Sequence, residues 1–208
     1  MNVGILGGTF DPVHLGHLNI ADAAMTQADL ERVLLIPAGR PRLKHAEPLA
    51  SVDQRLEMVR LAVEDHPRYQ VCDIEAQRPG PTYTVDTLME LSAKLEPATN
   101  LYFILGMDVL AQLDRWKDPE KVLGLCMLLV LNRPGEGDFN WDSFYDRVPW
   151  AKGRVRVVTA PMIDVSATEL RRQAGAGEML TGQVPNAVAK YIWEQRLYLK
   201  DLDGRTES

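Results

Sequence analysis

A chain of 208 residues, 46% of them hydrophobic, is long enough to bury one sizeable core, and its length fits a single domain over residues 1–208. A formal net charge of -6 excludes a protein that coats nucleic acid, because non-specific phosphate binding needs clustered Lys and Arg. No apolar run approaches the roughly 18 residues of a membrane span, no basic segment precedes an apolar one at the start, and Cys72 and Cys126 lie in apolar strand-like runs. These features predict a soluble, cytoplasmic chain with two buried free thiols and no cysteine-held metal.

In chain order, residues 3–6 read as a short strand that runs into Gly7 and Gly8, and residues 14–27 as the helix that follows. A strand at 33–36 leads into the polar segment 38–51, which carries Pro41 and Pro48 and reads either as a lid or binding loop or as a solvated connector. Helix 52–64 comes next, with Ser51 and Gln54 spaced as a capping box and Val52, Leu56, Val59 and Val63 along one face. The pattern continues as strand 69–74, helix 85–95, strand 101–105, helix 109–116, strand 127–131, strand 155–158, helix 168–174 and helix 187–197. Residues after about 199 have no apolar face and read as a frayed tail.

Strands that are apolar on both faces and alternate with helices predict a parallel sheet covered on each side, a doubly wound Rossmann-like α/β fold. Such sheets bind ligands beyond the carboxyl ends of their strands, so the residues directly after each strand are the ones to search.

The first such segment is GGTFDPVHLGH, residues 7–17. Gly7 and Gly8 allow the backbone to approach a ligand, and the helix start behind them offers unpaired N–H groups and the positive dipole end to phosphate. His14 and His17 are three apart, so on a helix they share a face and can meet one polyphosphate. The same residues also fit a plain tight turn, or half of a zinc site for which no third ligand stands nearby. VSATELRR, residues 165–172, begins another helix after a strand, and Ser166 with Glu169 fits an ordinary capping box as well as a second phosphate-facing helix start.

GGTFDPVHLGH resembles the (T/S)-F-D-P-x-H-x-G-H signature of the nucleotidyltransferase branch of the HIGH-type α/β superfamily. VSATELRR resembles the I-S-S-T-x-I-R motif of the same transferases, with Ala167 in place of the second Ser. GPTYTVDTL at 80–88, ILGMDVLAQLDRW at 104–116 and NRPG at 132–135 resemble segments of the nicotinate-nucleotide adenylyltransferases, in the family's order along most of the chain.

That resemblance implies adenylyl transfer from ATP, with magnesium, to nicotinate mononucleotide, with pyrophosphate released and no covalent enzyme intermediate. It implies His14, His17, Lys44 and Arg171 as catalytic residues. Gly7, Gly8, Thr9, Phe10, Gly106, Asp108, Ser166 and Thr168 would bind ATP, while Asp11 and Pro12 would shape the turn. Tyr83, Thr84, Trp116 and Arg133 would bind the mononucleotide. Physically, Trp116 can stack on a pyridine ring or serve as a core or rim aromatic. Asp108 can hold ribose hydroxyls, organise magnesium, or simply cap a helix.

The loop after the second strand departs from the family's P-P-H-K, reading Pro41, Arg42, Leu43, Lys44, His45; Lys44 remains the expected phosphate contact, with Arg42 as a substitute. Rival readings are another transferase of the same branch, acting on nicotinamide mononucleotide or phosphopantetheine, and a non-catalytic nucleotide sensor. Oligomeric state, a homo-oligomer included, is not set by these motifs.

Overall fold

Short apolar runs assemble into one six-stranded sheet in the computed structural model, which describes residues 1–39, 49–132, 139–161 and 163–199. The strands are β1 (Asn2–Gly8), β2 (Arg32–Pro37), β3 (Tyr69–Val71), β4 (Asn100–Gly106), β5 (Cys126–Asn132) and β6 (Val155–Thr159). They lie in the order β3-β2-β1-β4-β5-β6, and every pairing is parallel. The predicted doubly wound fold is the one observed. Ile5 of β1 stands between Leu34 of β2 and Phe103 of β4, so the order reverses on either side of β1, where such sheets open a crevice.

The period of two along each strand divides the core into two layers. Val33, Leu35, Ile104, Leu129 and Leu131 belong to one, under α1 (Leu15–Gln27), α2 (Val52–Val63), α7 (Ala167–Gly175) and α8 (Asn186–Glu194). Ile5, Leu34, Ile36, Leu128 and Val130 belong to the other, under α3 (Thr84–Lys94), α4 (Met107–Leu110), α5 (Pro119–Leu125) and α6 (Trp141–Arg147). The capping box opening α2 forms as predicted: Gln54 N–H donates to Ser51 Oγ at 3.2 Å and Ser51 N–H to Gln54 Oε1 at 2.8 Å.

Five expectations change. Strand β3 stops at Val71, because the chain turns at once through Gln77 N–H on the Asp73 carbonyl at 3.0 Å. Cys72 is therefore only half-buried, and the expectation of two buried thiols holds for Cys126 alone. The stretch 109–116 is not one helix but the single turn α4 and a 3-10 turn at Leu113–Arg115, after which Trp116 is extended, with ψ 157°. Two helices went unpredicted: α5 has Pro119 in its first turn, and Asn140 caps α6 by accepting from Ser143 N–H at 2.9 Å. Finally, α8 ends at Glu194, short of 197. The expected frayed tail, 200–208, lies outside the described residues. Among the described residues no helix is long and apolar enough to cross a membrane.

Burial pushes the Cys126 thiol up to about 12, and burial raises Cys72 as well. The reactive species is the thiolate, so at pH 8 Cys126 stays neutral and shielded. Treatment of the native protein with iodoacetamide at pH 8, read by peptide mass, should leave Cys126 unmodified until denaturant is added; prompt native labelling would contradict the packing.

Candidate functional site

The loop that leaves β1 crosses the point where the sheet order reverses. Phe10 takes φ 50°, a left-handed conformation that costs a bulky residue of the order of 1–3 kcal/mol, and it is held there by a ring that is 1% exposed in the core. The ring explains Gly8, where an added Cβ would stand 3.1 Å from it. Gly16 is required in the same way, since its Cβ would stand 3.0 Å from the His14 ring. Gly7 differs. It is exposed, and among the described residues its Cβ would meet only the Phe103 ring at 3.6 Å, an ordinary contact, so none of them demands glycine there.

His14 is the extended N-cap of α1, and its ring stacks on His17 with centroids 3.7 Å apart at 28°. Phe10 meets His17 edge-on at 4.9 Å. The His14 backbone N–H donates to His17 Nδ1 at 3.2 Å, which assigns the proton of a neutral His17 ring to Nε2, a donor on the other side of the imidazole. The shared helix face expected of the pair is thus realised as a stacked couple.

Arg171, on the first turns of α7, comes to this same loop across 160 residues: its Nη1 donates to the Asp11 carbonyl at 2.7 Å and its Nη2 to Thr168 Oγ1 at 3.3 Å. The Ser166 hydroxyl is committed to capping, accepting Glu169 N–H at 3.2 Å. The reciprocal half of the predicted box is replaced, because the Glu169 carboxylate turns to Arg172 at 2.7 Å, and the guanidinium holds that carboxyl below the usual range. Thr168 is exposed beside it.

Two buried groups organise the loop, and sequence reasoning missed the weight of both. Asp11, expected only to shape the turn, is 5% exposed; its carboxylate accepts Leu49 N–H at 2.9 Å, Ala50 N–H at 3.1 Å and the Tyr198 hydroxyl at 2.9 Å, with Arg171 Nη1 3.9 Å away. Arg55 of α2 is 1% exposed. It donates to the carbonyls of Thr9 at 2.8 Å, Ala38 at 2.7 Å, Gly39 at 3.2 Å and Ala50 at 3.3 Å. Burial lowers its pKa from the ordinary guanidinium value, and the Asp11 charge opposes that shift. The available signal was a charged residue inside the apolar stripe of Val52, Leu56 and Val59.

A second group of predicted residues lies along β4 and α3. Gly106, rather than Asp108, is the N-cap of α4; a Cβ on Gly106 would stand 2.5 Å from Asp108 Oδ1, so the exposed carboxylate folds back over the end of β4, next to β1. Trp116 is half-buried, edge-on to Phe103 at 5.8 Å, and the Phe103 ring also faces Gly7, so one wall joins the β1 loop to Trp116. The indole N–H of Trp116 is buried without a hydrogen-bond partner among the described residues. Tyr83 caps α3 and Thr84 is its first residue. Lys117, not singled out in the sequence, draws these together: its ammonium lies 3.0 Å from Asp86 on the first turn of α3 and 4.7 Å over the Tyr83 ring. Lys44, Arg42 and Arg133 lie outside the described residues, and among those described no group of three or more His, Cys, Asp or Glu could hold a metal ion.

A family model described as cytidylyltransferase-like matches residues 5–173. A Dehalococcoides mccartyi protein named "Probable nicotinate-nucleotide adenylyltransferase" is 40% identical over 200 residues, covering 96% of this chain and 98% of its own. A Chromobacterium violaceum protein of the same name is 43% identical over 209 residues, covering 94% and 98%. The Plasmodium falciparum nicotinic acid mononucleotide adenylyltransferase complexed with NaAD superposes with a TM-score of 0.75 over 95% of this chain and 97% of that one, at 19% identity, a likeness of fold.

Replacing Arg55 by Met keeps most of the side-chain volume and leaves four carbonyls without their donor. Each orphaned buried acceptor costs about 1–3 kcal/mol before relaxation and water entry. The expected loss is roughly 3 kcal/mol in the free energy of denaturant unfolding; a change under about 1 kcal/mol would show that water replaces the guanidinium.

Proposed function

The chain belongs to the cytidylyltransferase-like family, among the nicotinate-nucleotide adenylyltransferases, and we propose that it is a single-domain cytoplasmic enzyme joining ATP to nicotinate mononucleotide. The products are nicotinate adenine dinucleotide and pyrophosphate, a step of NAD biosynthesis. The observation that carries this reading is the bond from Arg171 to the Asp11 carbonyl, which sets the start of α7 against the start of α1 at the carboxyl end of β1. The α7 start with its Arg171 guanidinium and the stacked imidazoles of His14 and His17 thus meet at one loop, an arrangement suited to a polyphosphate.

In the reaction, a phosphate oxygen of nicotinate mononucleotide attacks the α-phosphorus of ATP in line, and the bond from that phosphorus to the oxygen bridging toward the β-phosphate breaks. The nucleophile is an anion at neutral pH, so no strong base is needed and the protein contributes alignment and charge stabilisation. His17 presents its Nε2–H, and Arg171 its planar fork, to charge gathering on the departing pyrophosphate. Gly7 leaves the backbone accessible to the nucleotide, and Asp108 offers a carboxylate to ribose hydroxyls or to magnesium. Magnesium enters with ATP as part of the substrate, neutralising phosphate charge; an ion that keeps its phosphate and water ligands asks the protein for only one or two carboxylates, which the exposed Asp108 fits.

For the acceptor, Trp116 stacks on the pyridine ring, while the first N–H groups of α3, near Tyr83 and Thr84, receive the nicotinate carboxylate, because the opening N–H groups of a helix have no intrahelical partner. Lys44 and Arg133 are assigned phosphate and mononucleotide contacts on their sequence motifs alone.

Pyrophosphate release from ATP and magnesium should be strong with nicotinate mononucleotide; release only with phosphopantetheine, or with no acceptor at all, would reject the reading. In the same assay, removing one well-placed donor costs roughly 2–4 kcal/mol, so His17→Ala should lower kcat by about two to three orders of magnitude. Unchanged turnover would remove His17 from the phosphate site. Trp116→Ala should raise KM for the mononucleotide while KM for ATP stays close to wild type; equal losses for both would dismiss the stacking role.

A further inference from the structure

Beyond α8 the chain does not run straight out from the helix. Arg196 and Tyr198 both adopt left-handed backbone, with φ 52° and 66°, which costs non-glycine residues free energy and persists only where surrounding contacts enforce it. Those contacts are present: Leu197 is buried and its N–H donates to the Ile192 carbonyl at 2.9 Å. The turn carries Tyr198 back against α7, where its carbonyl lies so near Gly175 that a Cβ there would stand 2.9 Å from it. The phenol then reaches Asp11, across 187 residues, and donates to Oδ1 at 2.9 Å. Burial, reinforced by the Asp11 charge, raises the phenol's pKa well above its ordinary value, so the hydroxyl remains a donor at any working pH.

The energetic consequence concerns Arg171. The buried Asp11 carboxylate is satisfied by three donors: two backbone N–H groups, from Leu49 and Ala50, and the Tyr198 hydroxyl. Oδ1 takes Ala50 N–H and the hydroxyl, Oδ2 takes Leu49 N–H, and Arg171 Nη1 holds only a long ion pair of 3.9 Å to Oδ2 while keeping its close contacts on the Asp11 carbonyl and Thr168. Without the hydroxyl, a buried carboxylate lacks one partner, and among the described residues the cation within ion-pair distance is Arg171.

We infer that Tyr198 is a positioning residue for adenylyl transfer, its hydroxyl anchoring the Asp11 carboxylate so that the Arg171 ion pair stays long and the guanidinium faces the phosphates instead of closing to hydrogen-bond distance. Tyr198 meets no reacting atom; it acts through Asp11. The inference rests on the proposed role of Arg171 at the polyphosphate.

The test is Tyr198→Phe, which keeps the ring and removes only the hydroxyl, made in the wild-type chain and in Arg171→Ala. Rates are taken per folded enzyme, below the lower melting midpoint of the set, so that lost stability does not register as lost turnover. Tyr198→Phe should lower kcat roughly tenfold, the scale of one charge-assisted hydrogen bond, with KM for nicotinate mononucleotide unchanged. In the Arg171→Ala background the same change should produce no further loss. Losses that multiply across the two backgrounds, or a lowered melting midpoint with wild-type kcat, would overturn the inference. ATP affinity by titration calorimetry on the same four proteins separates this from failure of the reaction assignment. A wild type inactive with nicotinate mononucleotide rejects the assignment, whereas a Tyr198→Phe weakening of ATP binding that needs Arg171 supports the coupling regardless of the acceptor, and equal weakening in both backgrounds rejects it.

Discussion

Everything at the carboxyl end of the sheet rests on one buried guanidinium. Strands β1 and β2 end side by side, and their departing loops turn carbonyls inward that no ladder can satisfy. Arg55 meets this need because its planar fork supplies five donors in fixed directions, and it reaches carbonyls of both loops and of the entry to α2. A lysine ammonium is too compact to span them. Burying the cation is costly, and that cost is offset by four hydrogen bonds and by the Asp11 charge nearby. With its base fixed in this way, the β1 loop can hold Phe10 in a strained conformation and still keep one geometry.

On that base the glycines of the motif divide their work. Gly8 and Gly16 make room for protein rings, Phe10 and His14, and so belong to packing. Gly7 makes room for no group among the described residues, which turns its missing side chain into an opening there. The histidines follow the same logic: His17 uses Nδ1 inward on the His14 backbone, and the proposed phosphate contact is assigned to Nε2. Packing and chemistry therefore use different atoms of the same short string.

The sheet was legible because its strands are apolar on both faces, so their number and order of appearance could be read directly. The helices α5 and α6 escaped because seven residues are too few to show a period, although Pro119 after Asp118 and Asn140 three before Ser143 were usable start signals. The two motifs proposed to face phosphate were legible as strings. Their meeting was not, because it depends on Arg171 reaching a carbonyl 160 residues away. Arg55 was hidden by its charge, which excluded it from an apolar count even though it shares the buried face, and Asp11 by its small size and turn-forming habit. Lys117 carried no motif, and its place over Tyr83 follows only from the end of the 3-10 turn.

The two halves of the site are built to different standards, and that difference bears on how specificity is set. The β1 loop is fixed by buried partners whose loss is costly. The proposed acceptor side is tied by the Lys117 and Asp86 pair, which is 43% and 28% exposed and therefore worth about 0–1 kcal/mol. Trp116 there carries a buried N–H with no partner among the described residues, so its contacts with them leave it unsatisfied. A rigid half suits the chemistry common to a whole branch of transferases, which needs one alignment at the α-phosphorus. A loosely tied half suits the choice of acceptor, since its contacts can be exchanged at small cost without disturbing the network around Asp11 and Arg55.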